Sequence, residues 1–144
     1  MSARKQENII NSLIILNICM SKKVKKIFVV DDVEMMSMAM EDYLTANTHH
    51  TVLRFSTGEE CLQHLYEGPD IVILDYNLNS VHKDAANGMK ILEAIKKEDR
   101  SIRVIMLSGQ EAYGTALQTI TKGAEEYVLR DEDSFAKIAA LCNI

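Results

Sequence analysis

The chain has 144 residues, which is the size of one domain with one substantial hydrophobic core. Its net charge of −5 hides an asymmetry, because residues 1–26 carry six basic side chains and one acidic one, whereas the remainder carries ten basic and twenty acidic ones. Because residues 27–144 are acidic overall, we do not expect a basic face that binds the phosphate backbone of a nucleic acid.

Residues 1–22 are predicted to be an extension, helical or disordered, that precedes a domain over residues 23–144. The apolar run 9–18 contains three polar residues and is too short to span a bilayer. The residues around Cys19 do not form the small-residue cleavage site of a signal peptide. We therefore expect a cytoplasmic protein without a membrane partner. The three cysteines form no CxxC pair and are interpreted as reduced thiols.

From residue 26 onward, apolar strands alternate with segments of helical periodicity five times. The first strand is followed by a methionine-rich helix in which Met38 is expected to pack inward. The next helix is predicted to begin at a capping box, with Thr57 as N-cap and Glu60 three residues later, and to end at Gly68-Pro69. The predicted strands and helices of this half are strand 26–30, helix 34–46, strand 51–55, helix 57–67 and strand 70–75.

The second half continues the same alternation. A polar stretch leads to the next helix, and a later helix is expected to end at Lys122-Gly123, a basic last turn followed by a glycine C-cap. Asp133 and Ser134 are predicted to cap the last helix. The elements predicted here are helix 89–97, strand 102–107, helix 111–121, strand 126–129 and helix 134–143.

Five such units with nearly continuous apolar strands predict an α/β fold, a doubly wound parallel sheet of five strands with helices on both faces. The right-handed crossovers that join parallel strands restrict its topology further. In such a sheet, ligands bind beyond the carboxyl ends of the strands, where the strand order reverses.

Acidic residues follow two of these strands. Asp31 and Asp32 end the first strand, and Asp75 ends the third. Three carboxylates at one edge of a sheet repel each other unless a cation lies between them, and hard oxygen ligands favour Mg²⁺ over zinc. Considered alone, Asp31 and Asp32 could also cap the following helix, because acidic side chains are favoured at a helix N-terminus.

Four motifs together resemble the receiver domain of bacterial two-component response regulators. The resemblance covers residues 25 to 144 and rests on the segments Val29–Asp32, Pro69–Asp75, Ser108-Gly109 and Gly123–Arg130. It implies the flavodoxin-like strand order 2-1-3-4-5.

The resemblance also implies a function. Asp75 would accept a phosphoryl group from a phosphohistidine on a histidine kinase or a histidine phosphotransfer protein. Mg²⁺ would be held by Asp32, Asp75 and the backbone carbonyl of Asn77, with Asp31 acting through water. The Ser108 hydroxyl would donate a hydrogen bond to the phosphoryl group.

Two further residues receive roles from the same resemblance. Tyr127 corresponds to the aromatic switch residue that turns inward after phosphorylation and alters a protein-binding face. Met36, beside the acidic residues, is predicted to contact the phosphodonor protein, because flexible thioethers suit an adaptable surface.

The chain departs from the family pattern at two places. Arg130 replaces the usual lysine of the site, and its guanidinium can still pair with a phosphoryl group, even through two hydrogen bonds. It is followed by Asp131 instead of proline, so a trans peptide bond is expected there. Gly88 lies thirteen residues after Asp75 instead of the usual eight, and the longer polar segment 80–87, which includes His82 and Lys83, is interpreted as a solvated loop.

These observations favour a phosphorylation-controlled signalling switch, a phosphoacceptor rather than an enzyme with a separate substrate. The chief alternative is a pseudo-receiver, the same fold used as a phosphorylation-independent interaction module, which Arg130 and Asp131 favour. A dehalogenase-like phosphatase would need a second aspartate at Asn77. A flavin-binding protein would need a phosphate-binding loop where Asp31 and Asp32 stand.

Overall fold

The computed structural model describes residues 2–21, 23–81, 83–109 and 112–144, with residues 17–21 described by their backbone only. The strands are β1 Lys26–Val30, β2 Thr51–Phe55, β3 Ile71–Asp75, β4 Arg103–Ser108 and β5 Glu126–Leu129. The helices are α1 Ala3–Ser21, α2 Glu34–Asn47, α3 Gly58–Gln63, α4 Gly88–Glu98, α5 Tyr113–Thr121 and α6 Ser134–Cys142, and a 3-10 turn covers Leu65–Glu67.

All five strands pair in parallel in the order β2-β1-β3-β4-β5, which confirms the predicted doubly wound sheet. The order reverses between β1 and β3, so the carboxyl ends of these two strands border the crevice where ligands bind in such folds. The strand bounds agree with the prediction to within one residue, because each strand is a short segment rich in apolar residues whose last residue is polar or is followed by a polar one.

The sheet buries a hydrophobic core on each face, because alternate residues of each parallel strand point to opposite sides. One core joins Phe28, Val72 and Val104 to residues of α3 and α4. The other joins Ile27, Ile71 and Ile105 to residues of α2 and α6. Because side chains pack on both faces of the sheet, the carboxyl ends of the strands are held in a fixed arrangement.

Two details of the helices differ from the prediction. Met38 is 46% exposed and Met40 is buried instead, because the inward positions of α2 are 37, 40 and 44. The helix after Thr57 ends at Gln63 and continues only as the 3-10 turn. Its capping box is partial, since Thr57 Oγ1 accepts from the Glu60 N–H at 3.2 Å while the Glu60 carboxylate accepts from Ser56.

The cap of α6 is also different from the one predicted. Asp133 occupies the N-cap position but its side chain makes no capping hydrogen bond. The hydrogen bonds at this helix end are made by Asp131 instead. Its carboxylate accepts from the Asp133 N–H at 2.8 Å, and its carbonyl accepts from the Ser134 hydroxyl at 2.9 Å. The peptide bond between Arg130 and Asp131 is trans, as expected.

The N-terminal segment is helical over Ala3–Ser21, and its apolar side chains from Ile9 to Leu16 are about half exposed. Within the described residues, no helix combines the length and the hydropathy that a bilayer-spanning segment requires. Of the cysteines, Cys61 and Cys142 are buried free thiols, whereas the Cys19 side chain lies outside the described part of the chain. A domain boundary near residue 22 stays a prediction.

Candidate phosphoacceptor and metal site

The register of the sheet brings the predicted site residues to one place. Val30 pairs with Leu74, so the residues that follow, Asp31 and Asp75, lie side by side at the switch point of the sheet. On the other side of β3, Asp75 pairs with Leu107, which precedes Ser108. Ser108 pairs with Leu129, and the Arg130 N–H donates to the Ser108 carbonyl at 2.8 Å.

Three carboxylates converge at this edge of the sheet. Asp31, Asp32 and Asp75 are all buried, and each offers a carboxylate oxygen within 4.8 Å of the others. Burial of three like charges is unfavourable without a compensating cation. The arrangement is therefore one that attracts a positive group.

Arg130 supplies part of that compensation. Its Nη2 atom lies 3.1 Å from Asp31 Oδ2 and 3.6 Å from Asp75 Oδ1, and the arginine side chain is 25% exposed. A planar guanidinium can bridge two carboxylates in this way, whereas a lysine ammonium is a more compact point charge. The residue that departs from the family pattern thus faces the acidic pocket.

The Asp75 carboxyl is strongly perturbed. Burial and the neighbouring Asp31 raise its pKa to about 7, although Arg130 and the Asn77 N–H, which donates to Asp75 Oδ1 at 3.2 Å, act in the opposite direction. Asp32 adds a smaller upward contribution to the same pKa. The pocket is thus still short of positive charge with Arg130 in place.

The remaining carboxylate oxygens have defined surroundings. Asp31 Oδ1 accepts from the Val33 N–H at 2.9 Å. Asp32 Oδ2 accepts from the Ser80 hydroxyl at 2.5 Å and from the Val81 N–H at 2.8 Å. Asp32 Oδ1 is buried and has no hydrogen-bond partner among the described residues.

A role as helix caps does not account for the acidic pair. The N-cap position of α2 is occupied by Val33, which lies after both acids and makes no side-chain cap. Asp31 does bind the Val33 amide, but Asp32 contacts the loop after β3 instead. A capping role would not explain why both side chains lie close to Asp75.

The donor set suits a hard divalent cation. Three carboxylates with oxygens this close together provide ligands of the kind that Mg²⁺ prefers, and Mg²⁺ usually keeps water at its remaining positions. The strongest support for a cation at this site is Asp32 Oδ1, which is buried and has no hydrogen-bond partner among the described residues. A buried carboxylate oxygen destabilises the fold unless a hydrogen-bond donor or a cation compensates it.

The other predicted site residues differ in their burial and in the elements on which they lie. Ser108 is fully buried at the end of β4, and Tyr127 on β5 is half-buried against the core on the α3 and α4 side. Met36 is half-buried in the first turn of α2, and Asn77 is exposed just after Asp75. Lys83 is exposed, and His82 lies outside the described residues.

The sequence did not predict the contacts of Ser80 and Val81. Both are exposed, as expected for a solvated loop, yet they hold a carboxylate oxygen of Asp32, 48 and 49 residues earlier in the chain. The sequence feature that could have indicated a contact of this loop with the site is the length of the segment between Asp75 and Gly88, which is greater than the resemblance implies. Gly88 closes this loop, and its N–H donates to the Tyr76 carbonyl at 2.9 Å.

Comparisons with known proteins show which family the sequence is similar to. The family model described as the response regulator receiver domain matches residues 27–141. The chemotaxis protein CheY of Thermotoga maritima is 24% identical over 107 residues, which are 74% of this chain and 85% of the relative. The probable C4-dicarboxylate response regulator DctR of Bacillus subtilis is 29% identical over 113 residues, 77% of this chain but only 48% of that protein.

A solved structure gives the same result for the fold. The receiver domain of the Francisella response regulator 1452 superposes with a TM-score of 0.72 at 18% identity and covers 83% of this chain and 93% of its own. The chain thus spans most of one curated relative and about half of another.

Proposed function

Because the chain belongs to the receiver domain family of response regulators, we propose that Asp75 is its phosphoacceptor. The donor is a phosphohistidine on a histidine kinase or a histidine phosphotransfer protein, and the product is an aspartyl phosphate. The observation that carries this proposal is the convergence of three buried carboxylates at the switch point of the sheet, with Arg130 beside them.

The transfer requires one nucleophile and one leaving group. A carboxylate oxygen of Asp75 attacks the phosphorus atom, the phosphorus–nitrogen bond of the phosphohistidine breaks, and the imidazole leaves with the electron pair of that bond. The protein contributes mainly positioning and electrostatic stabilisation, as in phosphoryl transfer generally.

The acidic residues make the site dependent on Mg²⁺. Asp32, Asp75 and the backbone carbonyl of Asn77 would hold the ion, and Asp31 would act through water. Mg²⁺ supplies positive charge that offsets the negative charge of the incoming phosphoryl group. Asp32 Oδ1, buried without a partner among the described residues, supports its part in this ligand set.

Ser108 and Arg130 would bind the phosphoryl group after transfer. The hydroxyl of Ser108 would donate to a phosphoryl oxygen, and Arg130 would exchange its contact with Asp31 for one with the phosphate. Movement of Ser108 would allow Tyr127 to turn inward and change the surface formed by α5, β5 and α6. Met36 would contact the donor protein.

A pseudo-receiver remains the second candidate. The Arg130 guanidinium lies within ion-pair distance of both Asp31 and Asp75, so it neutralises part of the pocket without a metal ion. Asp131 adds a negative charge next to it. Both features would suit a module that binds a protein partner without being phosphorylated.

Incubation with acetyl phosphate and Mg²⁺, followed by intact mass spectrometry, separates the two candidates. The phosphoryl switch predicts one added phosphoryl group that is absent in Asp75→Asn and absent when EDTA replaces Mg²⁺. A chain that gains no such mass at saturating donor and metal would favour the pseudo-receiver.

A further inference from the structure

The loop between β3 and α4 contacts the acidic pocket through Ser80 and Val81. Ser80 Oγ donates to Asp32 Oδ2 at 2.5 Å, and the Val81 N–H donates to the same oxygen at 2.8 Å. Both groups bind one carboxylate oxygen and leave the other, Oδ1, buried and without a hydrogen-bond partner in the described part of the chain.

This division of the two oxygens fixes the orientation of the Asp32 carboxylate. Two donors on Oδ2 prevent rotation about the bond that joins the carboxylate to Cβ, because rotation would break both hydrogen bonds. Asp32 offers a carboxylate oxygen within 4.8 Å of oxygens of Asp31 and Asp75, so its orientation decides how well the three ligand groups match one cation.

The loop itself is held at both ends. At one end Ser80 and Val81 bind Asp32, and at the other the Ala86 N–H donates to Glu59 Oε1 of α3 at 2.7 Å. Asn87 then caps α4, since its side chain accepts from the Lys90 N–H at 3.1 Å. These anchors give the exposed Ser80 a defined position over the pocket.

We propose that Ser80 is a positioning residue for the Mg²⁺ site, which it serves by holding Oδ2 of Asp32 so that Oδ1 faces the cation. The inference rests on the proposed function, because it requires Asp32 to be a metal ligand. Groups that orient a ligand from behind contribute substantially to metal affinity, and their removal commonly weakens binding by about 10- to 100-fold.

A titration of the full chain with Mn²⁺ tests the inference. The electron paramagnetic resonance signal of the unbound ion measures how much Mn²⁺ is bound. Ser80→Ala is expected to weaken Mn²⁺ binding about tenfold, at the lower end of that range, because the Val81 amide still holds Oδ2. Ser80→Thr retains the hydroxyl and is expected to restore the affinity. Asn79→Ala, an exposed neighbour in the same loop, is the matched control and should bind as the unaltered chain does.

A second measurement distinguishes positioning of the metal ligand from a general effect on the loop. The rate of phosphorylation by acetyl phosphate should fall in Ser80→Ala at limiting Mg²⁺ and return to the rate of the unaltered chain at saturating Mg²⁺.

Equal or tighter Mn²⁺ binding by Ser80→Ala would overturn the inference and leave the proposed function intact, as would an affinity that Ser80→Thr fails to restore. A rate that stays low in Ser80→Ala at saturating Mg²⁺ would also overturn the inference alone. Absence of Mn²⁺ binding by the unaltered chain would overturn the metal site and the inference with it.

Discussion

At the scale of single residues, the negative charge of Asp75 is unfavourable in the metal-free fold. The carboxyl is buried beside Asp31, and its pKa of about 7 lies above the ordinary value of 3.8. A raised carboxyl pKa means that the folded state binds the proton more tightly than the unfolded state does. The metal-free fold therefore gains stability from protonated Asp75 below pH 4 and loses this contribution as the pH rises through 7.

Asp75→Asn removes this charge and gives a prediction about pH. In EDTA the variant should be more stable than the unaltered protein by roughly 2 kcal/mol at pH 8, and the difference should become small near pH 4. Urea unfolding of both proteins at the two pH values measures it. A difference in the free energy of unfolding that is equal at both pH values would contradict the account of Asp75.

Arg130 is expected to stabilise the pocket most when no metal ion is bound. Arg130→Ala leaves two buried carboxylates without their nearest cation, so it should lower the free energy of unfolding in EDTA by about 1–3 kcal/mol. Saturating Mg²⁺ should reduce that loss.

The matched control for this prediction is Arg103→Ala. Arg103 pairs with Glu125 at 2.8 Å and is exposed to a similar extent as Arg130, at 26% against 25%. Urea unfolding with and without Mg²⁺ compares the two variants, and the loss of stability in Arg103→Ala should not depend on the metal. Equal metal dependence in both would show that Arg130 has no special relation to the pocket.

At the scale of elements, the junction of β3 and α4 determines where the site residues lie. A Cβ added at Gly88 would be 2.5 Å from the Asp75 carbonyl oxygen and 2.7 Å from the Tyr76 Cα. Backbone atoms cannot yield as a flexible side chain does, so only glycine allows α4 to begin this close to the end of β3. The close approach fixes one end of the loop that reaches Asp32.

Gly88→Ala should therefore destabilise the fold by roughly 2–3 kcal/mol, as expected for overpacking against backbone. Gly114→Ala is the matched control, because a Cβ there meets nothing within 4 Å and alanine is favoured over glycine within a helix such as α5. Thermal unfolding compares the two variants. A melting temperature of Gly88→Ala equal to that of the Gly114 variant would contradict the close contact.

The elements themselves were largely predictable from the sequence, and the errors have local causes. Strand positions followed from apolar runs, and Asp31, Asp32 and Asp75 followed from the ends of those runs. The wrong assignments concern details that periodicity does not determine, such as whether Met38 or Met40 faces the core and which aspartate caps α6. Side-chain contacts at helix ends depend on the loop path, which the sequence pattern leaves open.

At the scale of the whole molecule, we expect the sheet and its two cores to form a folding unit that does not depend on α1. The apolar side chains of α1 from Ile9 to Leu16 are about half exposed, and no residue of α1 whose side chain is described belongs to either core. Few interactions would be lost if the segment were removed.

Deletion of residues 1–22 should change the free energy of unfolding by less than about 1 kcal/mol. Urea unfolding of the shortened and the full chain tests this prediction, and Leu92→Ala in the shortened chain serves as a positive control because Leu92 is fully buried. That variant should lose about 2–5 kcal/mol. A shortened chain that loses as much as the Leu92 variant would place residues 1–22 inside the folding unit.

The long-range contacts of the site were beyond the reach of sequence patterns. Arg130 was expected to bind a phosphate, and its contact with Asp31 joins residues 99 positions apart. The contact between Ser80 and Asp32 arises from a loop without periodicity, so the sequence indicated the unusual length of the loop but not which of its residues binds Asp32. Motifs identify which residues meet at a strand edge, but the orientation of each carboxylate depends on the packing of the whole chain.

The most direct test of the account locates the phosphoryl group. After reaction with acetyl phosphate and Mg²⁺, borohydride reduction converts an aspartyl phosphate into homoserine, and peptide mass spectrometry identifies its position. The account predicts homoserine at position 75 and a strong decrease when Mg²⁺ is removed. Homoserine at another aspartate, or none in a chain that binds Mg²⁺, would contradict it.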